Sequence, residues 1–277
     1  MSMNILITGA SSYVGASIYS RLKDKYSVVG TYHSNKLFPE LELLDITIRK
    51  NVEEFVNLKK PDVIIHVAAN PNASWCEKNP DEAVKINQES TRFLVDSANR
   101  INAKFIFISS YAVINHKSIY ARTKLESEKI VKNTKAGYII LRPAHIVGYS
   151  PNTENDRQFN RFLKNVLENV PATYDTSWKF QPTYLKHISD IIMKIVQSNI
   201  WNETIHVAVP ELKSRFDLAK DILSPFGIEV KPENKNDNSP IFFTDLSELK
   251  ELNLPQYTYD EMIIGIVQEI KDYLKTR

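Results

Sequence analysis

One cysteine stands among the 277 residues, so no internal disulfide can form, and Cys76 has no partner at metal-ligand spacing. A reducing compartment, the cytoplasm, is the expected setting. No apolar run approaches the ~18 residues that suggest a membrane span. The opening Met1-Ser2-Met3-Asn4-Ile5-Leu6-Ile7-Thr8-Gly9 lacks the basic segment and long apolar stretch of a signal peptide, and starts instead as a strand. Neither sign of charge dominates: Lys+Arg 35 against Asp+Glu 33 leaves +2, which gives no electrostatic ground for nucleic acid or an anionic membrane as partner. Glycine is scarce as well, seven in all, against about 7% in average usage. Two of the seven, Gly9 and Gly15, lie six residues apart, and such closeness asks for a backbone reason. With 43% hydrophobic residues, the chain has a core to bury without help from metal or disulfides.

The first two-thirds alternate strand-like and helix-like segments. Asn4–Thr8, Ser27–Tyr32, Leu43–Leu44, Val63–Ala69, Lys104–Ser109 and Tyr138–Leu141 read as strands. Tyr13–Lys23, Pro80–Ile101 and Ser118–Lys132 read as helices between them. Fully apolar strands separated by helices predict a doubly wound α/β fold, a parallel sheet covered on both faces (Rossmann). After Arg142-Pro143 the regularity breaks. Helices are predicted over Arg157–Asn169, His187–Ser198 and Tyr257–Leu274, a strand over Glu203–Val207, and a surface loop over Lys231–Ser239. The expected organisation is a dinucleotide-binding domain over 1–142, rejoined by 184–208. A small C-terminal substrate-binding lobe would use 143–183 and 209–258, with a closing helix over 259–277.

Thr8-Gly9-Ala10-Ser11-Ser12-Tyr13-Val14-Gly15-Ala16 joins the first strand to the first helix. A dinucleotide site wants a glycine for the tight turn, a small residue where backbone meets pyrophosphate, and a small residue where helix meets strand. Gly9, Ser12 and Gly15 stand at those places, with serine replacing the middle glycine. The second strand ends in Gly30-Thr31-Tyr32-His33-Ser34-Asn35-Lys36, with no acidic residue before Glu40. An NAD site usually places an acid there, so His33, Ser34 and Lys36 favour NADP(H) over NAD(H).

Tyr-x-x-x-Lys occurs three times, as Tyr19/Lys23, Tyr32/Lys36 and Tyr120/Lys124, so the motif alone selects nothing. Context selects Tyr120/Lys124, which follow the strand ending Phe107-Ile108-Ser109-Ser110. Spacing i, i+4 puts phenol and ammonium on one helical face. A neighbouring ammonium favours phenolate, which suits Tyr120 to proton transfer. Ser110, at the carboxyl end of a parallel strand, stands where such folds bind ligand.

These residues resemble the extended short-chain dehydrogenase/reductases, and the resemblance spans nearly the whole chain. Thr8-Gly9…Gly15 is similar to the family's Gly-rich turn, and Leu44-Asp45-Ile46-Thr47 to its adenine-contacting segment. His66-Val67-Ala68-Ala69 resembles its H-x-A-A strand end, and Asn87 its asparagine after the next helix. Ser109-Ser110-Tyr111-Ala112-Val113 and Tyr120/Lys124 are similar to its catalytic strand and pair, and Arg142-Pro143 to the segment before its substrate lobe. Within the family the chain most resembles the dTDP-4-dehydrorhamnose reductase-like branch, on its short length and on Thr31-Tyr32-His33-Ser34, Trp75–Pro80 and Gln181-Pro182-Thr183-Tyr184.

That resemblance implies an NADPH-dependent oxidoreductase that reduces the 4-keto group of a nucleotide-linked deoxysugar in surface polysaccharide biosynthesis. It implies catalytic roles for Ser110, Tyr120 and Lys124, with Asn87 ordering a relay water behind Lys124. Cofactor would be held by Gly9, Ser11, Ser12, Tyr13, Val14, Gly15, His33, Ser34, Lys36, Asp45, Ile46, Ala68, Ala69, Asn70, Tyr120, Lys124 and Pro143. Substrate would meet Asn70, Trp75, Ser110, Tyr111, His145, Arg157, Arg161 and Tyr174. Arg157 and Arg161, on one helical face, would clamp a pyrophosphate, although a solvated face explains them equally well. Packing accounts for Trp75, Tyr174 and His145 equally well. No metal is expected, and a homodimer through Pro80–Ile101 and Ser118–Lys132 is the family's habit.

The chain also departs from the branch. Tyr111 replaces an Asp, and only ten positions separate Ser110 from Tyr120, where relatives carry a long Pro-rich loop. Tyr111-Ala112 supplies no carboxylate for dehydration, and Tyr111 stands where reductases that also epimerise carry a Cys. Two other readings stay open: a catalytically silent cofactor-binding regulatory subunit, favoured by the short loop, and an NAD-dependent nucleotide-sugar epimerase.

Overall fold

The computed structural model describes residues 3–276. Met1, Ser2 and Arg277, where the expected first domain begins and the closing helix ends, lie outside the described residues. The chain divides into two compact units. One comprises Met1–Arg142 with Ile195–Ile205, the other Pro143–Lys194 with His206–Arg277.

The first unit carries strands β1 (Asn4–Thr8), β2 (Ser27–Tyr32), β3 (Glu42–Leu43), β4 (Val63–His66), β5 (Lys104–Ile108) and β6 (Tyr138–Pro143). Its helices are α1 (Tyr13–Leu22), α2 (Arg49–Lys59), α3 (Ala73–Lys78), α4 (Pro80–Val84), α5 (Ser90–Ile101) and α6 (Ile119–Val131). The sheet runs β3-β2-β1-β4-β5-β6, and Glu203–Val207 adds a seventh strand beside β6. Each pairing from β3 to β6 is parallel. This is the doubly wound order, whose direction of winding reverses between β1 and β4 and so opens a ligand crevice at their carboxyl ends. Ile5, Leu6 and Ile7 are all buried, as are Val63, Ile64 and Ile65, because helices cover both faces. On one face, Leu6, Ile64, Phe105, Phe107 and Ile140 pack with Val52 and Val56 of α2, Leu94 and Val95 of α5, and Val131 of α6.

The helix expected over Pro80–Ile101 is interrupted. Between α4 and α5, Lys85–Glu89 winds as a single π-helical turn. Such a turn inserts one residue into the helix and commonly marks a functional position. It carries Asn87.

The second unit holds β7 (His145–Val147), α7 (Gln158–Glu168), β8 (Ala172–Asp175), β9 (Lys179–Phe180), β10 (Pro182–Tyr184) and α8 (Leu185–Val196). After β11 (Glu203–Val207) come β12 (Lys213–Ser214), α9 (Arg215–Leu223), β13 (Val230–Glu233), α10 (Ser247–Glu251) and α11 (Tyr259–Lys275). The return to the first unit is shorter than the expected 184–208, because α8 is tied mainly to second-unit residues. His187 Nε2 bonds the Pro255 carbonyl at 2.7 Å, and Lys186 meets Asp190 and the Tyr257 hydroxyl. The last helix is no separate element either: Tyr184 donates to Glu269 at 2.8 Å. Part of the expected loop Lys231–Ser239 is strand, since β13 pairs in parallel with β8.

Candidate active site

The turn after β1 shows why its glycines are there. Gly9 has φ +71, and a Cβ on it would lie 2.8 Å from the Ala68 Cα, at the end of β4. A Cβ on Gly15 would lie 2.1 Å from the Gly9 carbonyl oxygen. The helix therefore starts against the strand end as a dinucleotide turn requires. Ser12 is the N-cap of α1: its Oγ accepts from Gly15 N at 3.1 Å. Its side chain thus orders the helix N-terminus, while Ser11 and Val14 beside it are half-buried and Tyr13 is buried. A cradle too tight for Cβ atoms, opening on a helix N-terminus, fits a dinucleotide pyrophosphate.

At the end of β2, His33, Ser34 and Lys36 are exposed. Lys36 Nζ lies 5.8 Å from the Tyr32 ring centroid. Glu40 is turned away, bonded to Lys23 at 3.2 Å. The fold brings in a carboxylate that the loop's own sequence does not contain: Asp45 Oδ2 lies 3.9 Å from His33 Nε2. Partial burial works against its charge, but bonds from the Thr47 amide and hydroxyl outweigh burial and hold the carboxyl below its ordinary range. Ile46 beside it is buried.

The three tyrosine–lysine pairs separate clearly. Tyr19 is buried in α1, and burial with the Glu40 carboxylate pushes it up to about 12, the wrong direction for proton transfer near neutrality. Lys36 of the second pair is in solvent. Tyr120 is half-buried at the start of α6, and Lys124, one turn on, is 2% exposed. Lys124 Nζ donates to the Ile108 carbonyl at 2.7 Å and sits 3.9 Å from the Phe107 ring centroid. Burial pulls it down to about 7, against an opposing pull from Glu128. Its ammonium is placed at the end of β5, at the carbonyl two residues before Ser110. The Ser110 Oγ accepts from Ala112 N at 3.2 Å and caps the short helical turn Tyr111–Ile114, which leaves its proton to be donated elsewhere.

Asn87, expected to order a relay water, is tied to the loop after β4. Its Oδ1 accepts from Asn70 N at 2.7 Å, while Nδ2 donates to the Asn70 carbonyl at 3.1 Å and to Thr123 Oγ1 at 3.3 Å. With both ends of the amide engaged, Asn87 is a strut that joins the loop after β4 to the helix of Tyr120 and Lys124. Ala68, Ala69 and Asn70 in that loop are half-buried, as is Trp75 on α3.

His66 extends the strut. Thr91 Oγ1 donates to the Asn87 carbonyl at 2.9 Å, so His66 Nε2–H donates to Thr91 Oγ1 at 3.1 Å, and Nδ1 accepts from Thr8 Oγ1 at 2.7 Å. Burial, with the Lys124 charge second, pulls His66 down to about 3. A base depressed in the folded state binds its proton in the unfolded chain first, so stability is full above about 6.5 and falls as pH drops toward 3. The expected loss is about 1.4 kcal/mol per pH unit across that window for this one group. Urea midpoints measured from pH 7 to 4 check it, and His66→Asn should flatten the slope.

Four expected substrate residues lie in the second unit, and for two of them the expectation is corrected. Arg157 is the extended N-cap of α7, φ −85 and ψ 153, so it shares no helical face with Arg161. Arg161 is bonded to the Asp156 carboxylate through Nε at 2.5 Å and through Nη2. Arg161 is thereby engaged by Asp156, and Arg157 stands at the helix start. Tyr174 packs edge-on against Phe162, with centroids 5.5 Å apart. His145 lies against Phe180 at 4.4 Å and Trp178 at 5.2 Å, and burial first, then Arg215, pulls it down to about 4. It is a neutral packing histidine near pH 7. Tyr111 is half-buried, and Pro143, the last residue of β6, is buried.

Sequence reading missed Glu128 and the partner role of Arg142. Arg142 Nε and Nη2 bind the two Glu128 oxygens at 2.9 and 2.6 Å, and Ser109 Oγ donates to Oε1 at 2.6 Å. The i, i+4 spacing from Lys124 to Glu128 was the available signal.

A family model described as RmlD substrate binding domain matches residues 3–241. The chain belongs to that family. The likeness to extended short-chain dehydrogenase/reductases holds with it. Among curated relatives, methionine adenosyltransferase 2 subunit beta of Bos taurus is 24% identical over 98% of this chain and 88% of its own. A probable low-salt glycan biosynthesis reductase of Haloferax volcanii is 23% identical over 81% of each chain. The fold is that of dTDP-4-dehydrorhamnose reductase from Bacillus anthracis in complex with NADP, at TM-score 0.81, 22% identity and coverage of 98% and 100%. It is equally that of UDP-glucose 4-epimerase from Thermotoga maritima with UDP-glucose, at TM-score 0.82, 18% identity and 99% coverage of both. No helix among the described residues is long and apolar enough to cross a membrane.

Proposed function

We propose that the protein is an NADPH-dependent reductase of a keto group on a nucleotide-linked deoxysugar, of the dTDP-4-dehydrorhamnose reductase kind, working in surface polysaccharide synthesis in the cytoplasm. The observation that carries this reading is Lys124: a buried amine at the strand end bearing Ser110, one helical turn beyond Tyr120. A relative named as a probable low-salt glycan biosynthesis reductase supports it.

The bound nicotinamide would supply the hydride. This chain's residues do the rest. The α1 N-terminus and the Gly9–Gly15 cradle hold the pyrophosphate, and Lys124 orients the nicotinamide ribose. Ser110 donates a hydrogen bond to the carbonyl oxygen as negative charge grows there, and Tyr120 delivers the proton to that oxygen. His33, Ser34 and Lys36 would receive the 2′-phosphate, and with Glu40 bonded to Lys23 the loop would favour NADPH over NADH. Calorimetric titration with each cofactor tests this: NADPH should bind at least about tenfold tighter, and Lys36→Ala should erode the difference. Preference for NADH would move the reading to an NAD-dependent epimerase.

A second reading, a cofactor-binding subunit without turnover, is favoured by the 24% identity with a methionine adenosyltransferase subunit over 98% of the chain and by the short Ser110–Tyr120 segment.

A further inference from the structure

No step above uses the buried carboxylate of Glu128, whose side chain is 3% exposed, with its partner Arg142 at 20%. Burying a carboxylate is strongly unfavourable unless it is paired and hydrogen-bonded, and this one is held by the Arg142 fork and by Ser109 Oγ. Three segments of the candidate site meet on it. Ser109 is the residue before Ser110, Glu128 lies one turn beyond Lys124 on α6, and Arg142 lies near the end of β6.

We propose that Glu128 is a positioning residue, holding the strand end of Ser110 and the helix of Lys124 in one register through its carboxylate. It also sustains the Lys124 charge. Burial works against the ammonium, and Glu128 works for it, beside the Phe107 ring face and the Ile108 carbonyl that receive the charge. The other groups facing Lys124 do not replace it: His66 on β4 is neutral, and Tyr120 precedes it on the same helix. Arg142 on β6 tempers the effect by sharing the carboxylate's field.

This rests on the Ser110–Tyr120–Lys124 reading, but its test needs neither substrate nor cofactor. The Lys124 ammonium is titrated by NMR in the full chain with ¹³C-labelled lysine, its signal assigned with Lys124→Met. Glu128→Gln should lower the midpoint by about one pH unit, and Glu128→Asp should restore most of it. Arg142→Gln, which removes the competing cation, should move the midpoint upward, and it decides the matter if Glu128→Gln does not fold. Midpoints that stay at the wild-type value in folded variants would reduce Glu128 to a structural staple and overturn the proposal. Absence of turnover in the wild type would sink the reductase reading and leave this result standing.

Discussion

Tyr120→Phe is expected to lower kcat about 10²- to 10⁴-fold, the range a positioned general acid contributes, while NADPH affinity stays nearly unchanged. The substitution deletes one oxygen from a half-buried ring and leaves the helix start alone. Ser118 still caps α6 by accepting from Ala121 N at 3.1 Å, and the Tyr120 carbonyl still accepts from Thr123 Oγ1 at 2.8 Å. A loss confined to kcat therefore reports the proton. Single-turnover kinetics with a 4-keto nucleotide sugar check it, and an equal loss in cofactor binding would place the phenol in cofactor anchorage instead.

Gly15→Ala is expected to abolish cofactor binding at accessible concentrations, a loss of at least about 100-fold, or about 2.7 kcal/mol. The added carbon would lie 2.1 Å from the Gly9 carbonyl oxygen and 2.8 Å from its carbon, both backbone atoms with no side chain to yield. The turn must open, and with it goes the Ser12–Gly15 cap that orders the helix N-terminus. Stability should fall too, by about 1–3 kcal/mol, as in an overpacked core. Gly227→Ala is the control. Gly227 has a similar φ of +72 but open space around it, so it should cost about 1 kcal/mol of stability and leave NADPH binding intact. Calorimetry and thermal melts on the two variants separate the clash from the backbone strain.

The sheet was legible because its strands are apolar on both faces, and β1, β4 and β5 announce themselves as unbroken runs. Helix α2 was not legible. Five of the eleven residues of Arg49–Lys59 are charged, and its short apolar set, Val52, Phe55 and Val56 with the exposed Leu58, declares no face until the sheet supplies one. Strand β13 was read as loop because Lys231, Pro232 and Glu233 are exposed, and only its pairing with β8 makes it strand. In the site, spacing within one element carried the most: Gly9 to Gly15, and Tyr120 to Lys124. Roles set by residues far apart in sequence were hidden. The tie of Asn87 to the Asn70 backbone, 17 positions away, is one of them. His33 likewise looks unopposed until β3 carries Asp45 toward it. The helical face expected to carry both Arg157 and Arg161 is lost for a local reason: Arg157 stands at the N-cap position of the helix that it was expected to join.

The most direct test of the central claim is turnover itself. The purified chain, NADPH and a dTDP-4-keto-6-deoxysugar are mixed, and loss of reduced-nicotinamide absorbance is followed, with Tyr120→Phe alongside. NADPH should be oxidised in step with reduction of the sugar's 4-keto group, and its oxidation should be nearly abolished in the variant. Tight NADPH binding with no consumption across a panel of nucleotide 4-keto sugars would contradict it, and would leave the silent subunit as the better description.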